Sequence, residues 1–154
     1  MKKILFVCHG RICRSPMAEF IFKDMARREG LGAEFEVQSA ATSREEIGND
    51  IYPPAKRVLA VHGVPYEFRQ SHQVKTYAME HYDLIVIMDD NNARNLRRMF
   101  GNKYDAKIRK LMSFAETEGS SAPDVSDPWY TDDFETAYRD IEAGCKGLLA
   151  ELTK

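Results

Sequence analysis

Cys8 and Arg14 bracket five residues in the run Cys8-His9-Gly10-Arg11-Ile12-Cys13-Arg14-Ser15. A short loop that ends at a helix N-terminus turns several backbone N–H groups inward, making a concave anion site that the helix dipole reinforces. A phosphate dianion fits such a site. A thiolate is stabilised there too, since cysteines at helix N-termini near cations have pKa values lowered to roughly 3.5–7.5. Cys8 is therefore expected to react as a nucleophile at neutral pH. Arg14 would present a planar fork to two phosphate oxygens and grip harder as equatorial charge develops in the transition state. Lysine, a point charge, is no faithful substitute. Ser15 is placed either to donate a hydrogen bond to the thiolate or to cap the helix.

The bland alternative is a buried cysteine acting as a small hydrophobe beside a solvated arginine. Spacing alone does not separate the two readings; the strand before the loop, Gly10 within it and the Ser15-Pro16 helix start after it favour chemistry. Cys13 stays open between simple packing and a protective role, in which it traps oxidised Cys8 as a reversible disulfide. Zinc is disfavoured, because Cys8, His9 and Cys13 lack a second cluster at metal-ligand spacing. A dephosphorylating cysteine further requires a proton donor for the leaving group and a base to activate water. Asp127, in Asp124-Val125-Ser126-Asp127-Pro128-Trp129-Tyr130, is the candidate. Pro128 biases it away from helical geometry, and flanking apolar rings would favour its acid form by desolvation. By spacing alone, Asp-Pro is more often a plain turn.

The elements that must position these residues follow from periodicity. Ile4 to Val7 is a short, partly β-branched apolar run ending at Cys8, typical of a strand buried on both faces. Ser15-Pro16 opens a helix carrying Met17, Phe20, Ile21 and Met25, with Pro16 suited to a first helical position. Phe35 to Ala41 reads as a second strand and Pro53 to His62 as a second helix closed by Gly63. Val64-Pro65-Tyr66 reads as a short extended piece or edge strand. Asp83 to Met88 is the clearest later strand, followed by a polar helix from about Asn91 to Phe100, and Ile108 to Met112 is the expected last strand. Phe114 to Asp133 is polar, turn-rich and long enough to favour a functional loop. The final helix, Phe134 to Leu152, carries Tyr138, Ile141, Cys145, Leu148 and Leu149 at helical spacing. Alternating strands and helices imply a parallel sheet covered on both faces, with ligands at the carboxyl ends of the strands. Cys8 falls there.

The chain as a whole excludes several classes. Its 154 residues suit one domain with a single apolar core. Three cysteines and no signal-peptide pattern after MKKILFVCHG point to a reducing cytoplasm. No apolar run approaches the roughly 20 residues of a membrane helix. A net charge of −2 with interspersed signs gives no basic field for nucleic acid. Arg94, Arg97, Arg98, Lys103 and Lys107 read as a solvated face rather than a docking patch.

The run from Val7 to Glu19, VCHGRICRSPMAE, closely resembles the phosphate loop of low-molecular-weight protein tyrosine phosphatases. Ser39-Ala40-Ala41-Thr42-Ser43, Glu46-Ile47-Gly48-Asn49, Arg69-Gln70, Met88-Asp89 and Ser126-Asp127-Pro128 look like further family segments, in family order across almost the whole chain. The resemblance implies a three-layer α/β single domain over residues 1–154, with a four-stranded parallel sheet of order 2-1-3-4 flanked by helices. It implies Cys8 as nucleophile, Arg14 as phosphate clamp and Asp127 as general acid, then base. His9, Gly10, Arg11, Ile12, Cys13 and Ser15 would surround the phosphate, Ser15 would help hold the thiolate, and Ser39 would belong to the network behind the loop. Trp129 and Tyr130 would form one pocket wall and Glu45 the other. The implied substrate is a phosphotyrosine protein or small aryl phosphate, the product inorganic phosphate, with no metal or other cofactor.

Three positions depart from the pattern. Arg11 stands where the family normally has a bracing Asn, Tyr66 where it often has a His of the same network, and Glu45 where some relatives place an aromatic ring. The loop is therefore expected to be differently supported, with Arg11 either turned to solvent or adding a second cation. The scaffold also looks like that of thioredoxin-coupled arsenate reductases, but Tyr82 and Asp89 stand where further cysteines would be needed. Protein-arginine phosphatases resemble a pattern with Thr at Ile12; the larger apolar residue favours an aryl phosphate. A non-catalytic phosphate binder is the remaining alternative, against which stand Cys8, Arg14 and Asp127 together.

Overall fold

The computed structural model describes residues 1–9, 13–68, 70–115 and 124–154, and for Trp129 and Tyr130 the backbone alone. Three expected phosphate-loop residues, Gly10, Arg11 and Ile12, lie outside the described residues, as do Arg69 and the expected wall formed by the Trp129 and Tyr130 side chains.

Strands β1 (Lys2–Cys8), β2 (Phe35–Ala41), β3 (Leu84–Ile87) and β4 (Ile108–Lys110) form one sheet of order β2-β1-β3-β4, with every pairing parallel. This is the expected architecture. Residues of β1 alternate between two cores because successive side chains leave opposite faces of a strand. Ile4, Phe6 and Cys8 pack with Met17, Ile21 and Phe22 of α1 (Arg14–Arg28), Leu59 of α2 (Pro53–Val61) and Ile141, Cys145 and Leu148 of α6 (Phe134–Leu152). Leu5 and Val7 face Met79 of α3 (Thr76–His81), Ile85 and Ile87 of β3, and Leu96 of α4 (Asp90–Phe100). Burying each of these large side chains contributes about 1.5–3 kcal/mol, so the central strand carrying Cys8 is held from both sides.

The parallel register brings the strand ends to one edge. Cys8 lies beside Ala41, Val7 beside Ile87, and Ile87 beside Lys110. Helix α6 approaches this layer closely through two glycines. A Cβ at Gly144 would meet the Leu111 side chain, and one at Gly147 would fall on the Phe114 carbonyl.

Four local features depart from the sequence reading or add to it. The last strand stops at Lys110, and residues Leu111–Ser113 turn into a 3₁₀ segment whose Leu111 and Met112 plug the core. Val64-Pro65-Tyr66 forms no strand; the Val64 N–H closes the end of α2 on the Leu59 carbonyl and its side chain joins the core. Helix α3 was not legible, since a six-residue segment burying only Ala78 and Met79 is too short to show a period. The long polar connection contains a short helix, α5 (Pro128–Thr131), which opens on a proline as first helical turns favour. In the charged stretch, Lys107 donates to the Met79 and Tyr82 carbonyls at 2.6 and 2.9 Å, finishing α3, while Arg97 pairs with Asp105 and Lys103 with Glu80.

Candidate active site

Cys8 is the last residue of β1 and is 2% exposed. Its Sγ lies 3.1 Å from Ser15 Oγ, which is also 3.4 Å from the Ala40 carbonyl. Ser15 has one proton for two acceptors, and ionisation of the sulfur draws that proton to the thiolate, because charge-assisted bonds are the stronger ones. The main chain fixes the sulfur's approach. Thr42 N–H donates to the Cys8 carbonyl at 2.9 Å and Ser43 N–H to the His9 carbonyl at 2.8 Å. Cys13 closes the described part of the loop, with Met17 N–H on its carbonyl at 3.2 Å, and is buried in the core with Cys8. Burial, reinforced by the nearby Cys8 and Asp127 charges, pushes the Cys13 thiol well above its ordinary pKa. Neither Cys8 nor Cys13 is held in a disulfide.

Arg14, the first residue of α1, is only 3% exposed. Its Nη1 donates to Asp89 Oδ2 at 2.8 Å and to the Val125 carbonyl at 3.1 Å, and its Nη2 reaches Asp127 Oδ2 at 3.4 Å. Burial works against its charge, but Cys8, Asp127 and Asp89 outweigh it and hold the guanidinium pKa above the ordinary value. One buried cation at the start of α1 thus joins the N-terminal end of α4 to the polar connection. Asp127 arrives there from the far end of the sequence. Val125 N–H donates to the Met88 carbonyl at 2.9 Å, Ser126 N–H to Asp140 Oδ2 at 3.2 Å, and the Asp127 carbonyl accepts from Thr131 as α5 begins. The rings expected to flank Asp127 lie outside the described residues.

The other expected residues distribute around this centre. His9 Nε2 lies 3.8 Å from Glu45 Oε1 in a half-exposed pair, which brings Glu45 next to the start of the loop. Ser39 and Ser15 line a cavity of about 20 Å³ behind Cys8, with Gln70 and Ser71, room enough for one water. Ser39 Oγ donates to Glu19 Oε1 at 2.8 Å, and Lys23 Nζ to Glu19 Oε2 at 2.6 Å. Tyr66 is 39% exposed. Among the described residues, no group of three or more His, Cys, Asp or Glu side chains is arranged to hold a metal ion.

Sequence reasoning gave no role to Asp89, Asn92 or Glu19. Asp89 caps α4 by accepting from Asn92 N–H at 2.9 Å, and fully buried Asn92 Oδ1 accepts from the Met88 and Asp89 N–H groups at 2.9 and 3.1 Å. This reciprocal cap aims the Asp89 carboxylate at Arg14. Two signals were available: a carboxylate just past the end of a buried strand, where ligands collect, and the requirement of a buried arginine for a counter-charge. Glu19 is fully buried; Lys23 pairs with it one turn on along α1, but the Ser39 contact exists only through α1–β2 packing.

Residues 3–154 match the family model described as low molecular weight phosphotyrosine protein phosphatase. The chain is 42% identical over 149 residues to low molecular weight protein-tyrosine phosphatase A of Mycobacterium tuberculosis, covering 94% of this chain and 88% of the relative. The crystal structure of YfkJ from Bacillus subtilis superposes with a TM-score of 0.93 at 37% identity, covering 99% of this chain and 95% of that one. The B. subtilis YwlE arginine phosphatase, in a variant with a phosphorylated active-site serine, is also similar: TM-score 0.85, 30% identity, 99% and 96% covered.

Proposed function

Because the chain belongs to the low molecular weight phosphotyrosine protein phosphatase family, we propose that it hydrolyses phosphotyrosine and related aryl phosphate monoesters through a phosphate covalently held on Cys8. The carrying observation is the buried Arg14 guanidinium, which reaches Asp127 and lies in the field of Cys8. In the first step the Cys8 thiolate attacks phosphorus in line, the P–O bond to the aryl group breaks, and Asp127 gives its proton to the leaving oxygen. In the second, water attacks phosphorus, Asp127 takes the water's proton, and the P–S bond breaks to return the thiolate and release phosphate. Arg14 stabilises the charge that develops in both steps. Ser15, 3.1 Å from Sγ, supports the thiolate as leaving group in the second.

The test is hydrolysis of 4-nitrophenyl phosphate, with chelator present, by the parent and by Cys8→Ser. Turnover that inorganic phosphate inhibits and that Cys8→Ser abolishes is the expected result. A parent without turnover between mildly acidic and neutral pH, while folded, would favour a non-catalytic phosphate binder instead. The similarity to an arginine phosphatase motivates a second comparison. The bulk of Ile12 favours an aryl ring over a guanidinium group, so phosphotyrosine peptides should outpace phosphoarginine peptides, and Ile12→Thr should narrow the gap.

A further inference from the structure

Lys110 ends β4 at the edge where the strand ends collect, opposite Ile87. Its Nζ lies 2.7 Å from Asp124 Oδ1 and 3.2 Å from Asp90 Oδ1. These two carboxylates belong to different parts of the site. Asp90 follows Asp89, which grips Arg14; Asp124 precedes Val125, whose carbonyl accepts from Arg14, and stands three residues before Asp127. Asp124 lies in the segment that delivers Asp127, and Lys110, at the end of β4, ties its carboxylate to the sheet. Downstream, Asp140 of α6 fastens the same segment through Ser126 N–H. Burial opposes the Lys110 charge, but hydrogen bonds from Asp124 and Asp90 more than offset it and raise the ammonium pKa.

Resting on the phosphatase reading above, we propose that Lys110 is a positioning residue for the proton-transfer step: by bridging Asp124 to Asp90 it sets where Asp127 sits relative to Arg14 and the leaving oxygen. Lys110 touches neither substrate nor reacting atoms in this scheme. It acts through Asp127, so its removal shows where the acid matters and disappears where the acid is already gone. The effect is moderate, because the Asp124 and Asp90 side chains are 48% and 64% exposed and such pairs are individually weak.

The experiment measures kcat/KM for the parent, Lys110→Met, Lys110→Arg and Asp124→Asn on two substrates, and repeats Lys110→Met and Asp124→Asn in an Asp127→Ala background. Phenyl phosphate has a leaving group that requires a proton; 4-nitrophenyl phosphate requires it far less. Lys110→Met and Asp124→Asn are each expected to lower turnover of phenyl phosphate about tenfold, the equivalent of about 1.4 kcal/mol. The nitrophenyl ester should lose less than about threefold, and Lys110→Arg, which keeps the ion pairs, should stay within about twofold of the parent on both. Neither Lys110→Met nor Asp124→Asn should cost anything further without Asp127. Equal losses on both substrates, or the same loss repeated in the Asp127→Ala background, would overturn the proposal. If Lys110→Met does not fold, Asp124→Asn, a change at a half-exposed position, decides it by the same criteria. A parent lacking Cys8-dependent turnover would bring down the phosphatase reading and this role with it; an active parent with unselective losses would remove Lys110 alone.

Discussion

The two halves of the site are built differently. The Cys8 half is a buried central strand running into a helix whose first turns are packed in the core, with the sulfur placed by main-chain bonds to Thr42 and Ser43. The Asp127 half is a polar connection with one residue, Val125, buried in the core; its other fastenings among the described residues include polar ones from Met88 after β3, Lys110 on β4 and Asp140 on α6. Apolar packing is dense and hard to deform, whereas partly exposed polar contacts give way singly. The proposed nucleophile is therefore expected to be rigid and the proposed acid adjustable. Arg14 and Asp89 form the joint between them.

The sharpest way to break that comparison is at the joint itself. Arg14→Lys removes the fork and is expected to lower kcat/KM on 4-nitrophenyl phosphate about a thousandfold, since loss of one preorganised donor to developing charge costs about 10²–10³. Asp89→Ala leaves Arg14 buried without its shortest partner and strips the α4 cap. A stability loss of about 3–5 kcal/mol is expected by urea unfolding, and a variant as stable as the parent would show that Asp89 is no such partner. Gly147→Ala forces α6 away from the Phe114 carbonyl and should cost about 1–3 kcal/mol in the same unfolding measurement, as overpacking does. If the acid half hangs on α6 as described, it should also slow phenyl phosphate more than the nitrophenyl ester. The smallest effect belongs to Asp140→Asn, which weakens the bond to Ser126 N–H while keeping its shape. Turnover of phenyl phosphate should fall about two- to threefold with the melting temperature unchanged; a large loss of stability would instead make Asp140 a structural anchor.

The same division explains what the sequence made legible. Cys8, Arg14 and Ser15 lie within eight residues of one another, between a strand and a helix whose periods are plain, so local pattern sufficed. The sheet order followed from the family resemblance, and the β2 and α6 boundaries match the pattern residue for residue. Asp127 is a candidate through its Asp-Pro context and the resemblance. Its distance from Arg14 depends on contacts between positions more than a hundred residues apart, which no local period encodes. Asp89 and Glu19 were passed over for a related reason. A buried carboxylate can be recognised only through its partner, and the partners Arg14 and Ser39 come from other elements. Helix α3 and the 3₁₀ turn after Lys110 are too short for periodicity to speak.

The bonds from Thr42 and Ser43 to the Cys8 and His9 carbonyls continue the β1–β2 ladder past its last paired residues, and they use backbone atoms only. The exposed Glu45 side chain takes no part in these bonds, so its replacement need not move the sulfur. On the phosphatase reading, backbone geometry anchors the reacting sulfur while the Glu45 side chain stands at the rim, so a change of target there need not rewrite the reaction.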